Sequence, residues 1–221
     1  MKTVLILLLT LITSVTILAQ SETKTVTKRN GSDEIQTVFE KAGPIGWWVS
    51  ADLAWTKFDR RDVFLGGMSG GIIINHSFAI GLAGYGIMNS QNLKYSGIND
   101  TADVYLYGGY GGLRIEYRIN PLKMVNVAFP LLIGGGGLTY STWGMDNMFG
   151  NNHHDNSDFS YAWDSFFVIE PGVVIGVNIL KFMRMDAGIS YRFASGSDLP
   201  KTSSNLMNNF NASLSLKFGR F

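Results

Sequence analysis

Arg114, Glu116 and Arg118 stand two residues apart, and so do Arg184 and Asp186, each separated from the next by an apolar residue. Strand side chains alternate faces with period two, so this spacing gathers the charges on one side and the apolar residues on the other. Glu170, Arg192 and, earlier in the chain, Asp52 fall on the polar faces of their own strand-like stretches. The set holds four arginines against four acids. Inside a narrow barrel, balanced charges can link into a hydrogen-bonded ion-pair network that fills the lumen. The same residues can line a selective pore or a proton-linked gate. A structural plug is the expectation, because a barrel of about eight strands is only wide enough for side chains to fill it.

Other residues that bear chemistry point less far. His153 and His154, with Asp146, Asp155 and Asp158 nearby, could bind a metal ion. Their spacing imposes no coordination geometry, so no metal site is expected. His76 reads as a turn residue. Ser190 shares the polar face, but no histidine falls on a predicted strand face, so a Ser–His arrangement is not supported. The expectation is a non-enzyme with no catalytic residues and no cofactor. Thr101, in Asp100-Thr101-Ala102, resembles a short acceptor motif for bacterial protein O-glycosylation.

The elements that must position the charges follow from alternation. In the stretch from Met183 to Phe193 every odd position is apolar and every even one polar or glycine. Its length, about eleven residues, suits a tilted strand crossing a bilayer. Strands are predicted at about Ile45 to Phe58, Val63 to Asn75, Phe78 to Met88, Ala102 to Ile119, Met124 to Tyr140, Asp164 to Ile179, Met183 to Phe193 and Leu206 to Phe221. The facing of the second is ambiguous. Asn75 to Ser77, Asn120 to Lys123 and the region of Leu180-Lys181 read as tight turns. Arg60 to Asp62 is short, whereas Asn89 to Thr101, Thr142 to Ala162 and Ala194 to Asn205 are long and polar. An even strand count with short turns at one end and long loops at the other is the pattern of an outer-membrane barrel, and it places both chain ends on the periplasmic side.

The start of the chain reads as an export signal. Met1-Lys2 precedes an apolar run from Val4 to Leu18, and Ala19-Gln20 leads into polar sequence. The run, about fifteen residues, is short for a transmembrane anchor. The expected division is a cleaved signal peptide over 1–19, a flexible periplasmic segment over 20–43 and a barrel over 44–221. The absence of cysteine excludes a lipoprotein anchor and disulfides. A net charge of +1 gives no reason to expect nucleic acid. Glycine is abundant, at 26 residues, and lies within apolar stretches, where it suits bends, bulges and close backbone approach.

Periodicity does not say which face points outward. A secreted lipocalin-like barrel would bury the apolar face, whereas a membrane barrel would present it to lipid. Loop asymmetry, strand length, the export signal and the aromatic last residue favour the membrane. Trp47, Trp48, Tyr140, Trp143, Trp163, Tyr191 and Phe193 are expected in interfacial girdles.

The chain resembles small outer-membrane β-barrel proteins of Bacteroidota, most of unassigned function. The residues that carry the resemblance are Gly108-Gly109-Tyr110-Gly111-Gly112 with Glu116-Tyr117, Phe129-Pro130-Leu131 with Gly134 to Gly137, Glu170-Pro171-Gly172, Ser190 to Phe193 and Leu216 to Phe221. It implies an all-β, antiparallel up-and-down transmembrane barrel of about eight strands. One departure is that Phe218 is in phase with Leu216 but Phe221 is out of phase by one. The expected protein is a Gram-negative cell-envelope component of the outer membrane with a plugged lumen, structural or engaged in surface interactions. A narrow, porin-like channel or carrier is the alternative. Expected partners are outer-membrane lipid and, during biogenesis, the barrel-insertion machinery; the loops identify no surface partner.

Overall fold

The computed structural model describes residues 44–96, 104–141, 160–195, 202 and 205–221. The expected signal and N-terminal segments, Thr101, Trp143 and the His153-His154 pair lie outside the described residues. The strands are β1 (Ile45–Phe58), β2 (Arg61–Ile74), β3 (Phe78–Ile87), the two-residue β4 (Lys94–Tyr95), β5 (Val104–Ile119), β6 (Val125–Ser141), β7 (Ser160–Leu180), β8 (Met183–Ser195) and β9 (Asn209–Arg220). Apart from β4 they form a closed antiparallel barrel of eight strands. Each long strand pairs with the next, and β1 pairs with β9, so the ring has no free edge.

β1 shows why the sequence folds this way. Along its whole length exposed and buried residues alternate. Trp47, Val49, Leu53 and Trp55 point out, while Ser50, Asp52 and Thr56 point in. The turns after β1 and β2 suit hairpins. Asp59 and Arg60 have φ of 46° and 64°, and Asn75 and His76 have φ of 53° and 59°. Two successive left-handed residues match the right-handed twist of the flanking strands.

Several expectations are corrected. The connection after β3 holds a 3-10 turn at Ser90–Asn92 and the short β4, which extends β5 by one added pairing. β9 begins at Asn209, later than expected, because Leu206 and Met207 turn inward and are almost fully buried. β2 has apolar residues on both faces: Phe64, Met68 and Ile72 point out, and Val63, Leu65 and Ile73 point in. Of the expected girdle residues, Trp47, Trp163 and Phe193 are exposed, but Trp48 and Tyr140 are buried in the lumen. Adjacent residues on a strand face opposite ways, so Trp47 and Trp48 cannot share one girdle.

Candidate functional site: the barrel lumen

The lumen is layered along its axis. At the long-loop end it is apolar: Phe58, Val63, Leu65, Leu93, Val104, Leu106, Leu138, Tyr140 and Val168 pack with Leu206 and Met207. The polar, plugged lumen expected from the sequence thus holds an apolar layer at this end, where inward residues of several strands are apolar. A second, smaller apolar cluster of Trp48, Ile73 and Ala79, with Phe221 packed on it, lies at the short-turn end. The phase shift at Phe221 has its physical reason here. Its ring belongs to the inward series of Asn211, Ser215 and Lys217, and the Arg184 guanidinium lies over it at 4.1 Å.

Between the apolar layers sits a charged cluster. Glu116 Oε2 accepts from Arg114 Nη2 at 3.0 Å and from Lys217 Nζ at 2.9 Å, and its Oε1 accepts from Arg118 Nη2 at 2.5 Å. Asp186 Oδ2 accepts from the same Arg118 nitrogen at 2.6 Å and lies 2.8 Å from Lys217 Nζ. Arg118 also donates to the Asn126 side-chain oxygen. These side chains are all nearly inaccessible. Charge-assisted bonds of this kind are short and strong, and the low surrounding dielectric strengthens them further. Gly176 makes room for the cluster, because a Cβ there would collide with Arg118, Asn126 and Asp186.

Four of the eight expected network residues meet in this cluster: Arg114, Glu116, Arg118 and Asp186. The other four occupy the lumen separately. Asp52 accepts from Ser50 Oγ at 3.2 Å, and Ser50 bonds Ser69 at 2.6 Å. Glu170 accepts from Ser190 Oγ at 2.6 Å and from the Tyr110 hydroxyl and Asn211 at 2.8 Å each. Arg184 donates to Asn178 at 2.6 Å and to the Pro121 carbonyl at 3.2 Å, tying β8 to the β5–β6 turn. Arg192 donates to the Met207 carbonyl at 2.8 Å and to Thr56 at 3.3 Å, and its guanidinium lies near the rings of Phe58 and Tyr110. Alternation shows which face a charge takes, but its height along the barrel depends on the register of every intervening strand.

Lys217 was missed in the sequence, although the signal was present. It lies between Leu216 and Phe218 and so on the polar face of the last strand. With it, the cluster has three cations against two carboxylates. A cavity of about 40 Å³ adjoins the cluster, lined by Tyr85, Tyr110, Arg114, Glu170, Asp186 and Ser190 among others. That is space for roughly three waters at most.

At the edge of the long-loop apolar cluster, Tyr95 in β4 donates to Asp59 at 2.8 Å and lies under the Arg61 guanidinium. Burial, then the Asp59 carboxylate, raises its hydroxyl well above the ordinary phenol range.

No family model matches the chain, and no curated protein matches it by sequence. Solved structures do resemble it. Neisserial surface protein A aligns over 82% of this chain and 100% of its own, with 12% identity and a TM-score of 0.52. The N-terminal β-barrel domain of Pseudomonas aeruginosa OprF aligns over 78% of this chain and 96% of its own, with 13% identity and a TM-score of 0.45. The first likeness bears on the fold, and the closed antiparallel barrel of eight strands is the fold that the chain has.

Proposed function

We propose that this protein resides in the outer membrane as a plugged barrel and serves the cell envelope as a structural or surface-interaction component rather than as an enzyme. One observation carries the reading: the barrel is inside out relative to a soluble protein. Met68, Leu82, Ile189 and Phe210 are 72%, 68%, 63% and 66% exposed on the outer wall, while Arg118, Asp186, Arg192 and Lys217 are 3% exposed or less within it. In water such a wall would be a very large apolar patch, whereas in a bilayer it is the required surface. The same partition disfavours a secreted lipocalin-like barrel. The sequence resemblance to small barrels of Bacteroidota agrees with this reading, as does the export signal read at the N-terminus.

The closed lumen is supported by the two apolar layers and by the ion cluster between them. A non-enzymatic role is supported by Ser190, whose hydroxyl donates to Glu170 with no histidine beside it among the described residues. The deciding experiment is planar-bilayer recording of the purified, folded protein. The expected result is no steady conductance. Stable, ion-selective openings by the wild type would replace the plug with the channel reading.

A further inference from the structure

We propose that the short-turn rim binds the headgroups of anionic phospholipids, an inference that rests on the outer-membrane reading above. Lys123 in the β5–β6 turn, Lys181 in the β7–β8 turn and Arg220 at the end of β9 are all exposed. None of the three belongs to an ion pair among the described residues. No exposed Asp or Glu side chain accompanies them at this end among the described residues. The acids nearest in sequence, Glu116 and Asp186, face the lumen and are bound to Arg118 and Lys217. The opposite rim differs: there Lys57 lies 3.8 Å from Asp62, and Asp59 precedes Arg60. Among the described side chains the short-turn rim therefore exposes cations and no carboxylate, whereas the long-loop rim is mixed.

Each cation also stands beside exposed apolar side chains. Leu122 and Met124, 72% and 71% exposed, flank Lys123. Leu180 and Phe182 flank Lys181, and Trp47 lies directly opposite Arg220 in the β1–β9 register. An apolar side chain in the acyl region next to a cation at headgroup level suits a lipid that has a tail and a phosphate. The remaining turn at this end, Asn75-His76-Ser77, has no Lys or Arg, so the contacts should gather on the arc from β5 to β9.

The test uses the folded full chain in vesicles of equal parts phosphatidylcholine and phosphatidylglycerol, with spin-labelled lipid of each kind to measure the motionally restricted shell. The wild type should restrict phosphatidylglycerol preferentially, and high salt should weaken that preference. Lys123→Gln and Lys181→Gln should each reduce it, by up to about fivefold for a fully engaged cation. Lys57→Gln, at the mixed rim, should reduce it less. Equal restriction of both lipids by the wild type, or a preference untouched by salt and by both variants, would overturn the inference. Failure to insert into any vesicle would instead remove the outer-membrane reading on which it rests. The salt series needs no variant, so a misfolding mutant leaves the test decisive.

Discussion

Glu116 is the residue on which the lumen cluster turns. Three cations converge on its carboxylate, while Asp186 serves two of them. Removing one partner of a buried ion pair leaves the others poorly solvated, at a cost of about 3–5 kcal/mol. Glu116→Gln should therefore destabilise the barrel by an amount in that range, read from urea unfolding in detergent or lipid. Lys217→Met should cost clearly less, because it leaves two cations facing two carboxylates. Equal losses would mean that the cluster is held by packing rather than by charge balance. Glu116→Ala, which also opens space, should in addition raise conductance above the wild-type level.

At the scale of the strand, facing decides what a substitution does. Ile189 is 63% exposed on the outer wall, and its neighbour Ser190 donates to Glu170 in the lumen. Ile189→Arg should cost about 2–4 kcal/mol if the site lies near the bilayer midplane. Ser190→Asn should cost well below that, and folding yields into lipid compare the two directly. Equal yields would show that the facing is wrong. Glycines divide in the same way. Gly66, Gly86, Gly109 and Gly137 form one row across four strands on the outer wall, and Gly84, Gly111 and Gly135 form the next. A Cβ at Gly84 would meet nothing within 4 Å. Gly84→Ala should stabilise the barrel by about 0.5–1 kcal/mol through the unfolded chain. Gly176→Ala should destabilise it, because the added methyl enters the ion cluster. Unfolding midpoints that move the same way for both would refute this distinction.

For the whole molecule, ring closure is what makes membrane residence physically possible, since every backbone group within the bilayer must find a partner in the barrel itself. The mature protein should therefore fractionate with outer membranes and migrate faster on gels when unheated than when boiled. A protein found soluble in the periplasm without detergent would sink this expectation. Much of the architecture was legible in local order. Period-two alternation placed the long strands within a few residues, and it put Arg114, Glu116, Arg118 and Asp186 on one face each, because side-chain facing is a property of a single strand. The same rule would have found Lys217. What local order does not contain is height and neighbourhood. Asp186 meets Arg118, 68 residues away in sequence, only because the registers of β5 to β8 bring them level around Gly176. Glu170 finds hydroxyls and an amide rather than an arginine for the same reason. The apolar layers at the two ends of the lumen were hidden because Trp48 and Tyr140 read locally as girdle residues and the facing of the strand that holds Val63 and Leu65 was ambiguous. An apolar side chain suits lipid and lumen equally; in β1 alternation with Asp52 puts Trp48 and Phe58 inward, but only the closed ring shows what they pack against.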